Sequence, residues 1–426
     1  MPEDNQPRSL GANILSRFSA VRLPLAIDGR LLGLTCLVGL LAALLATVYF
    51  YALEGMFWIA GEVGVHVPVF VLMPIAGALI GLAYFFLGKP GETDAVVNNI
   101  HVSHGRIDTR ANVPLVPISL VSIAAGGSAG PEAPMVYLTG SVGTWLHRSL
   151  KLPETQVRTL TLAGMAVGFS TLFGAPVGAA IFALEIPHKR GIEYYEATVP
   201  VIIGCLVGHT LFAALTGHGI GAAWQFPPYV FARWQDLVQA GLLGVAIGAC
   251  AVPFVWGLHG VKRLFAAVKV PMIVKATLGG LVLGLVAWQL PATRYFGEVQ
   301  LQTALLDASP AVSMLLLLAV AKMLTIAVTL ASGWRGGIII PCFFVGACLG
   351  KAAALLVPGL DPTMAMLAGM AAVNVSVMKV PLATVIVVST MSGIAALPPI
   401  AAAGFAAFVV SGGVNFLESK RERAPV

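Results

Sequence analysis

The sequence has 426 residues, of which 58% are apolar and only 10% charged, and its formal net charge is +6. Soluble domains carry about 25% charged residues, so a chain this poor in charge cannot cover a water-exposed surface. Because about 20 apolar residues cross a bilayer, the length allows roughly ten or more crossings. No basic strip with interleaved aromatic residues indicates a nucleic-acid partner. The composition predicts an all-α polytopic protein in a lipid bilayer.

Long apolar runs separated by short polar loops are the predicted membrane elements. In chain order they are 31–54, 66–87, 113–128, 132–146, 158–185, 197–216, 236–258, 273–290, 311–331, 338–357, 364–378 and 380–413. Their lengths are unequal, and several carry glycine or proline near an end. Such residues are tolerated in membrane helices that break, pack closely or line a cavity. The runs therefore predict tilted helices that stop partway and present their ends inside the membrane.

The domain organisation follows from the runs and from the basic residues around them. We expect a cytoplasmic N-terminal segment (1–30), a first membrane repeat (31–220), an inter-repeat loop (221–235), a second membrane repeat (236–413) and a short cytoplasmic tail (414–426). Basic residues flank the membrane region at Arg8, Arg17, Arg22 and Arg30 and again at Lys420, Arg421 and Arg423. Because basic residues near span ends stay cytoplasmic, both termini are predicted on the cytoplasmic side of the cell's inner membrane.

An internal repetition is the most informative feature of the chain. Residues 130–134 read Gly-Pro-Glu-Ala-Pro, and residues 337–341 read Gly-Ile-Ile-Ile-Pro, so both match Gly-x-x-x-Pro before an apolar helix. A second proline follows each motif, with Pro134 and Pro176 separated by 42 residues and Pro341 and Pro381 by 40. This spacing indicates a structural duplication, although coincidence in a chain rich in glycine and proline is the alternative. The pattern leaves open whether the two halves are parallel or inverted.

The two Gly-x-x-x-Pro motifs predict helix starts that bind an anion. A helix start leaves its first N–H groups without partners and carries about half a positive charge. Proline fits the first turn, and glycine lets the backbone approach closely. Buried in a membrane, such starts are natural anion sites. We therefore expect the helix starts at 130–134 and 337–341 to bind an anion through their backbone, with Gly130, Ala133 and Gly337 among the residues that line the site; ordinary junctions at the membrane surface are the alternative.

Glu132 is the candidate gating residue. It lies in the first turn of the first such helix, among small residues. An ionised carboxylate there could occupy the position of a free anion and leave when protonated, so that its occupancy depends on pH, anion concentration and voltage. A surface glutamate stabilised by the helix dipole is the alternative. Glu185 could mark the membrane edge, and Lys322 could snorkel, bridge helices or supply positive potential to an anion path.

The motifs resemble those of a known family. Residues 130–134 resemble the G(K/R)EGP motif of the CLC chloride channels and proton/anion exchangers, and residues 337–341 resemble that family's GxFxP motif. Segments 173–185, 322–341 and 371–388 also resemble CLC segments in the expected order, so the resemblance covers about residues 30–415. It implies an antiparallel inverted-repeat fold, a homodimer with one pore per subunit, and chloride or another small anion as the transported species.

The resemblance also assigns roles and reveals departures. Glu132 falls on the external gating glutamate, and Ile338 and Ile339 fall on positions whose amides hold the central anion. The family's GSGIP segment has no clean match; the closest text, residues 91–95, places Glu92 at the serine position and leaves Thr93 as a tentative hydroxyl ligand. Pro131 replaces a basic residue that the family usually carries. The tyrosine expected near the C-terminus is absent because none follows Tyr295.

Ile186 bears on the mechanism. It occupies the position where the family's exchangers carry a second, proton-relaying glutamate, and an apolar side chain cannot relay a proton. This replacement favours a channel over a proton-coupled exchanger, although Glu185, Glu193 or Glu196 could substitute and bring protons in as a second substrate.

A third hypothesis is an intramembrane serine hydrolase. Residues 126–130 match Gly-x-Ser-x-Gly around Ser128, and His209 lies in a later apolar run. A nucleophile elbow needs a strand-to-helix turn, which this helical context does not favour. The five cysteines are isolated, and the chain has no metal- or nucleotide-binding motif, so we expect neither a metal nor a cofactor.

Overall fold

The structure is a computed structural model that describes residues 29–189, 191–394 and 396–421. The helices of ten or more residues in the first half are α1 (Gly29–His66), α2 (Val69–Leu87), α3 (Thr93–Val102), α4 (Asn112–Ala124), α5 (Glu132–Leu150), α6 (Glu154–Phe173), α7 (Pro176–Glu185) and α8 (Thr198–Thr216). Those of the second half are α9 (Trp234–Ala267), α10 (Met272–Gln289), α11 (Val312–Ala331), α12 (Ile339–Leu356), α13 (Pro362–Met378), α14 (Pro381–Ser392) and α15 (Leu397–Val410). In the described residues, β pairing is limited to two isolated bridges.

Broken helices account for the unequal lengths of the apolar runs. Seven helices in the described part are long and apolar enough to cross a membrane, and shorter apolar helices of 10–17 residues lie among them. Two of the predicted runs each contain two helices. Within 158–185, α6 ends where Gly174 adopts a φ of 56°, and Pro176 begins α7. Within 380–413, Gly393 ends α14 with a φ of 66°.

The helices repeat in order across the two halves. Helices α1, α2 and α4 to α8 correspond to α9 to α15, and equivalent helices choose equivalent partners. Helix α1 packs on α8 as α9 packs on α15, and α5 packs on α6 as α12 packs on α13. Helix α6 also contacts α8 as α13 contacts α15. The predicted duplication is therefore present in the packing as well as in the motifs.

The contact between α2 and α10 shows that the repeats are inverted. A Cβ at Gly77 would lie 2.1 Å from the carbonyl oxygen of Ala276, and one at Gly81 would lie 2.2 Å from the Cα of Ile273. Positions that increase along α2 meet positions that decrease along α10, so these equivalent helices run antiparallel. Glycine permits this close approach because it has no side chain at the interface. The fold is the all-α inverted repeat that the resemblance implies.

The outer helices expose apolar side chains while the central helices bury them. Helix α2 presents a stripe of exposed residues at helical spacing: Val71, Ile75, Leu79, Leu82 and Phe86. In α13, by contrast, the described side chains from Thr363 to Met378 are buried. An apolar stripe on the outside is expected where lipid is the solvent. The first turns of α5 and α12 lie in the buried interior, away from this surface.

Candidate functional site

The starts of α5 and α12 meet through their glycines. The Gly130 N–H donates to the Gly337 carbonyl at 2.8 Å, and the Gly337 N–H donates to the Gly130 carbonyl at 2.6 Å. This reciprocal pair forms an isolated antiparallel bridge between the two repeats. The helix starts predicted from the sequence therefore converge. In this conformation the N–H groups of Gly130 and Gly337 each donate to the carbonyl of the other glycine. Neither N–H is therefore available to bind an anion.

The Glu132 carboxylate caps the start of α12. Its side chain is buried, and its Oε1 accepts a hydrogen bond from the Ile340 amide at 2.7 Å. The backbone N–H of the neighbouring Ile339 also interacts with this carboxylate. Oε2 has no hydrogen-bond partner among the described residues. A helix start from one repeat is thus occupied by a carboxylate from the other.

Ile340 is a functional residue that the sequence reasoning missed. The resemblance assigned the anion-holding amides to Ile338 and Ile339; in the structure Ile338 is the N-cap of α12, and the Ile340 amide donates to Glu132 at 2.7 Å. The first three or four amides of any helix lack intrahelical partners, so the signal was present in the motif. Which amide donates depends on the residue at which the helix begins, and the sequence pattern places that residue only to within one or two positions.

The observed position of the Glu132 side chain leaves no room for a Cβ at Gly130 or Gly337. A Cβ at Gly130 would lie 2.1 Å from Glu132 Oε2, and a Cβ at Gly337 would lie 2.4 Å from the same atom. Real Cβ atoms do not approach an oxygen so closely. The glycines of the two motifs therefore leave room for the carboxylate between the helix starts.

A cavity of about 360 Å³ joins most of the predicted site residues. Glu132, Ala133, Gly337, Ile338, Ile339 and Ile186 line it, together with Phe416. The Thr93 side chain lies outside the described residues, although its backbone begins α3. Glu92, at the position matched to the family's serine, forms an ion pair with Arg335 at 3.0 Å.

Glu185 is a second buried carboxylate at a helix start, and the sequence reasoning underestimated it. Its Oε2 accepts the Ala383 amide at 2.9 Å and its Oε1 accepts the Leu382 amide at 3.2 Å, both in the first turn of α14. The side chain is fully buried inside the protein, and its carboxylate is held by these two amides. The first repeat thus places one carboxylate on the start of α12 and another on the start of α14.

Lys322 bridges segments of the fold. Its Nζ donates to the carbonyls of Thr293, Arg294 and Tyr295 at 3.0, 3.3 and 2.7 Å. The fully buried ammonium is therefore held by the loop that follows α10, and it does not line the cavity around Glu132. Of the three roles open from the sequence, the contacts are nearest to the bridge, which here joins α11 to the segment that follows α10.

The serine and histidine of the hydrolase hypothesis do not form a catalytic pair. The Ser128 hydroxyl accepts a hydrogen bond from Thr325 at 3.0 Å, and the Ser128 amide donates to Thr329 at 3.1 Å. No hydrogen bond joins Ser128 to His209. The residues between α4 and α5 form a loop between helices, without the strand that a nucleophile elbow requires.

The C-terminal segment (414–421) returns to the end of α7 near Glu185. The buried Lys420 ammonium donates to the carbonyls of His188 and Lys379, each at 3.3 Å. Burial lowers the pKa of Lys420 to about 7, while the Glu185 carboxylate acts to raise it. Burial also lowers the pKa of His188 to about 4, so its imidazole is neutral at neutral pH.

An inverted repeat of broken helices, with a buried carboxylate on a converging helix start, defines a membrane ion-transport protein. The comparisons with known proteins agree. A family model described as "Voltage gated chloride channel" matches residues 76–412. The chain therefore belongs to the voltage-gated chloride channel family, the CLC family of anion transport proteins.

Individual relatives differ in their stated activities. A "Chloride/fluoride channel protein" of Pseudomonas syringae pv. tomato is 30% identical over 376 residues, which cover 84% of this chain and 79% of that protein. An "H(+)/Cl(-) exchange transporter ClcA" of Vibrio vulnificus is 26% identical and covers 84% and 81%. The crystal structure of a CLC-type fluoride/proton antiporter superposes with a TM-score of 0.81 at 21% identity, covering 92% of this chain and 98% of that one.

Proposed function

We propose that this protein conducts chloride or another small anion across the membrane by a channel-like route gated by Glu132. The single observation that carries the proposal is the hydrogen bond of 2.7 Å from the Ile340 amide to Glu132 Oε1. A carboxylate and a halide are both anions that satisfy the orphan amides of a helix start. Glu132 and the transported anion therefore compete for one place.

The gate works by exchange between two occupants. With Glu132 on the start of α12, the side chain fills the space between Gly130 and Gly337 and closes the route. When Glu132 is protonated or displaced, the amides of Ile339 and Ile340 are free to bind the anion, and the helix dipole favours its negative charge. The populations then depend on pH and on anion concentration, because each occupant stabilises a different state.

Replacement of Glu132 tests the gate. In liposomes with purified protein, Glu132→Gln and Glu132→Ala should raise anion efflux at neutral pH and remove its pH dependence, because neither side chain can carry the competing charge. Glu154→Gln is the matched control, since Glu154 is an exposed glutamate in the first turn of α6. Efflux and pH dependence that match the wild type in both Glu132 variants would exclude Glu132 as the gate.

A proton-coupled exchanger is the second candidate. Glu185 supports this candidate, because it is a buried carboxylate and the next residue in the chain, Ile186, lines the cavity. The name of the Vibrio vulnificus relative also includes proton exchange. A chloride gradient imposed across liposomes separates the candidates. If the protein is a channel, no protons should move apart from those that leak passively across the bilayer in response to the voltage. Uphill proton uptake driven by the chloride gradient would instead establish coupling.

The preferred anion is also part of the proposal, with chloride first and fluoride as its main competitor. The name of the Pseudomonas syringae relative includes both anions. The resemblance gives no clean match for the family's serine and finds no tyrosine after Tyr295, and Phe416, which lines the cavity, has no hydroxyl, so the hydroxyl ligands that the family offers an anion are not matched in this chain. Efflux of chloride, nitrate and fluoride through the same liposomes ranks the anions directly.

We further propose a homodimer in the inner membrane with both termini cytoplasmic. Apolar residues exposed on α8 and α15 offer surface for a partner subunit, among them Val199, Leu206, Phe405 and Val409. Mass measurement in detergent at low protein concentration tests the dimer, and the accessibility of tags placed at each end tests the orientation.

A further inference from the structure

Arg335 holds a fixed position beside the gate. It lies two residues before Gly337, and 18% of its side chain is exposed. Its Nε–H donates to the Tyr84 hydroxyl at 2.8 Å, and Nη2 donates to Glu92 Oε1 at 3.0 Å. Its backbone amide donates to the Ser122 hydroxyl at 3.1 Å. Tyr84 and Glu92 thus hold the guanidinium, and Ser122 holds the backbone of Arg335.

The Glu92–Arg335 pair stands between two cavities. Both residues line the cavity of about 360 Å³ that contains Glu132. Both also line a second cavity of about 880 Å³ between α2, α9 and α10. Lys262 of α9 also lines both cavities, so two cationic side chains lie where the linings of the two cavities overlap. An anion in either cavity can therefore come within reach of this pair.

The Arg335 guanidinium has the chemistry of an anion ligand with donors in reserve. An arginine side chain has five N–H donors, and Arg335 uses two of them in its bonds to Tyr84 and Glu92. Glu92 is its anionic partner, and 44% of the Glu92 side chain is exposed. Ion pairs at this exposure are weak, so a mobile anion can displace the carboxylate.

We propose that Arg335 is a second binding site for the transported small anion, and that Glu92 occupies this site when no anion is bound. The proposal rests on the proposed function, because it concerns the same route. Glu92 then competes for Arg335 as Glu132 competes for the start of α12. Two carboxylates, one buried and one at the boundary between the cavities, regulate successive positions along one path.

A set of three variants tests the second site. Chloride efflux is measured against chloride concentration for Glu92→Gln, Arg335→Gln and the double variant. Glu92→Gln removes the competitor and should lower the half-saturating chloride concentration by about 3- to 10-fold, because one nearby negative charge is lost. Arg335→Gln should raise it by a similar factor. The double variant should resemble Arg335→Gln, because Glu92 acts through Arg335.

Controls distinguish this proposal from a structural role and from failure of the proposed function. Glu154→Gln breaks the exposed Arg106–Glu154 pair, whose atoms are 3.1 Å apart, and should leave the curve unchanged. If the pair only stabilises the fold, all three variants lose efflux without a shift in half-saturation, which overturns the second site. If the wild type carries no anion, the proposed function itself fails. If the three variants show normal efflux and the same half-saturating chloride concentration as the wild type, the second site is excluded and the proposed function stands.

Discussion

At residue scale, the backbone at Gly337 controls whether Glu132 can reach α12. A Cβ there would lie 2.4 Å from Glu132 Oε2 and 2.8 Å from Glu132 Cβ. Gly337→Ala should therefore displace the carboxylate and raise anion efflux at neutral pH by roughly 2- to 10-fold, a change of about 1 kcal/mol in the closed state. Liposome efflux measures this. Gly260→Ala is the control, because no atom lies within 4 Å of its added Cβ; equal efflux in both variants would contradict the expectation.

The sequence predicts some of these residues and not others. Glu132 and the two glycines could be found because a carboxylate and a Gly-x-x-x-Pro motif inside apolar runs need a physical reason to be there. The pairing of Glu92 with Arg335 could not, because the residues are 243 positions apart and neither is unusual in its local segment. Only the folded chain places Arg335 beside the position where the resemblance leads us to expect a serine.

At element scale, helix starts and helix breaks differ in how clearly the sequence marks them. Gly174 followed by Pro176 marks the break between α6 and α7, since glycine adopts the left-handed conformation and proline opens the next helix. Lys379 adopts the same left-handed conformation between α13 and α14, with a φ of 56°. A lysine gives no such signal, so the break there is indicated by Pro381 alone.

Glu185 should stabilise the start of α14. Glu185→Ala removes the acceptors of the Leu382 and Ala383 amides and leaves buried donors unpaired, which costs about 1–3 kcal/mol. We expect a lower apparent Tm in detergent. Glu185→Gln keeps one acceptor oxygen and should lie between the alanine variant and the wild type. An unchanged Tm in Glu185→Ala would mean that the capping bonds do not contribute to stability.

At the scale of the whole molecule, the relation between the two repeats is set by contacts that the sequence does not reveal. Motif spacing indicates two copies, but an inverted and a parallel pair have the same spacing. The antiparallel glycine contacts between α2 and α10 decide in favour of inversion. Inversion is what allows α5 and α12 to point their starts at each other, so the site depends on the arrangement of the halves as well as on its motifs.

The C-terminal segment ties the second repeat to the first. The Ser419 hydroxyl bonds to Asp94 Oδ1 at 2.8 Å at the start of α3, and Arg421 donates to the Asn98 side chain at 3.0 Å. Lys420 adds its bonds to the carbonyls of His188 and Lys379, which belong to different repeats. A chain that ends after Phe416 loses these contacts together with the buried Leu417 side chain.

We expect this truncation to lower the apparent Tm by about 3–6 °C, which corresponds to the loss of a few net hydrogen bonds and one buried apolar side chain. Thermal unfolding in detergent, followed by intrinsic fluorescence, measures the change. A chain that ends after Arg421 is the control, because it keeps every contact described for the C-terminal segment. Equal Tm values for the two truncations would mean that the contacts of residues 417–421 have no net effect on stability. The segment would then lie against the first repeat without stabilising it.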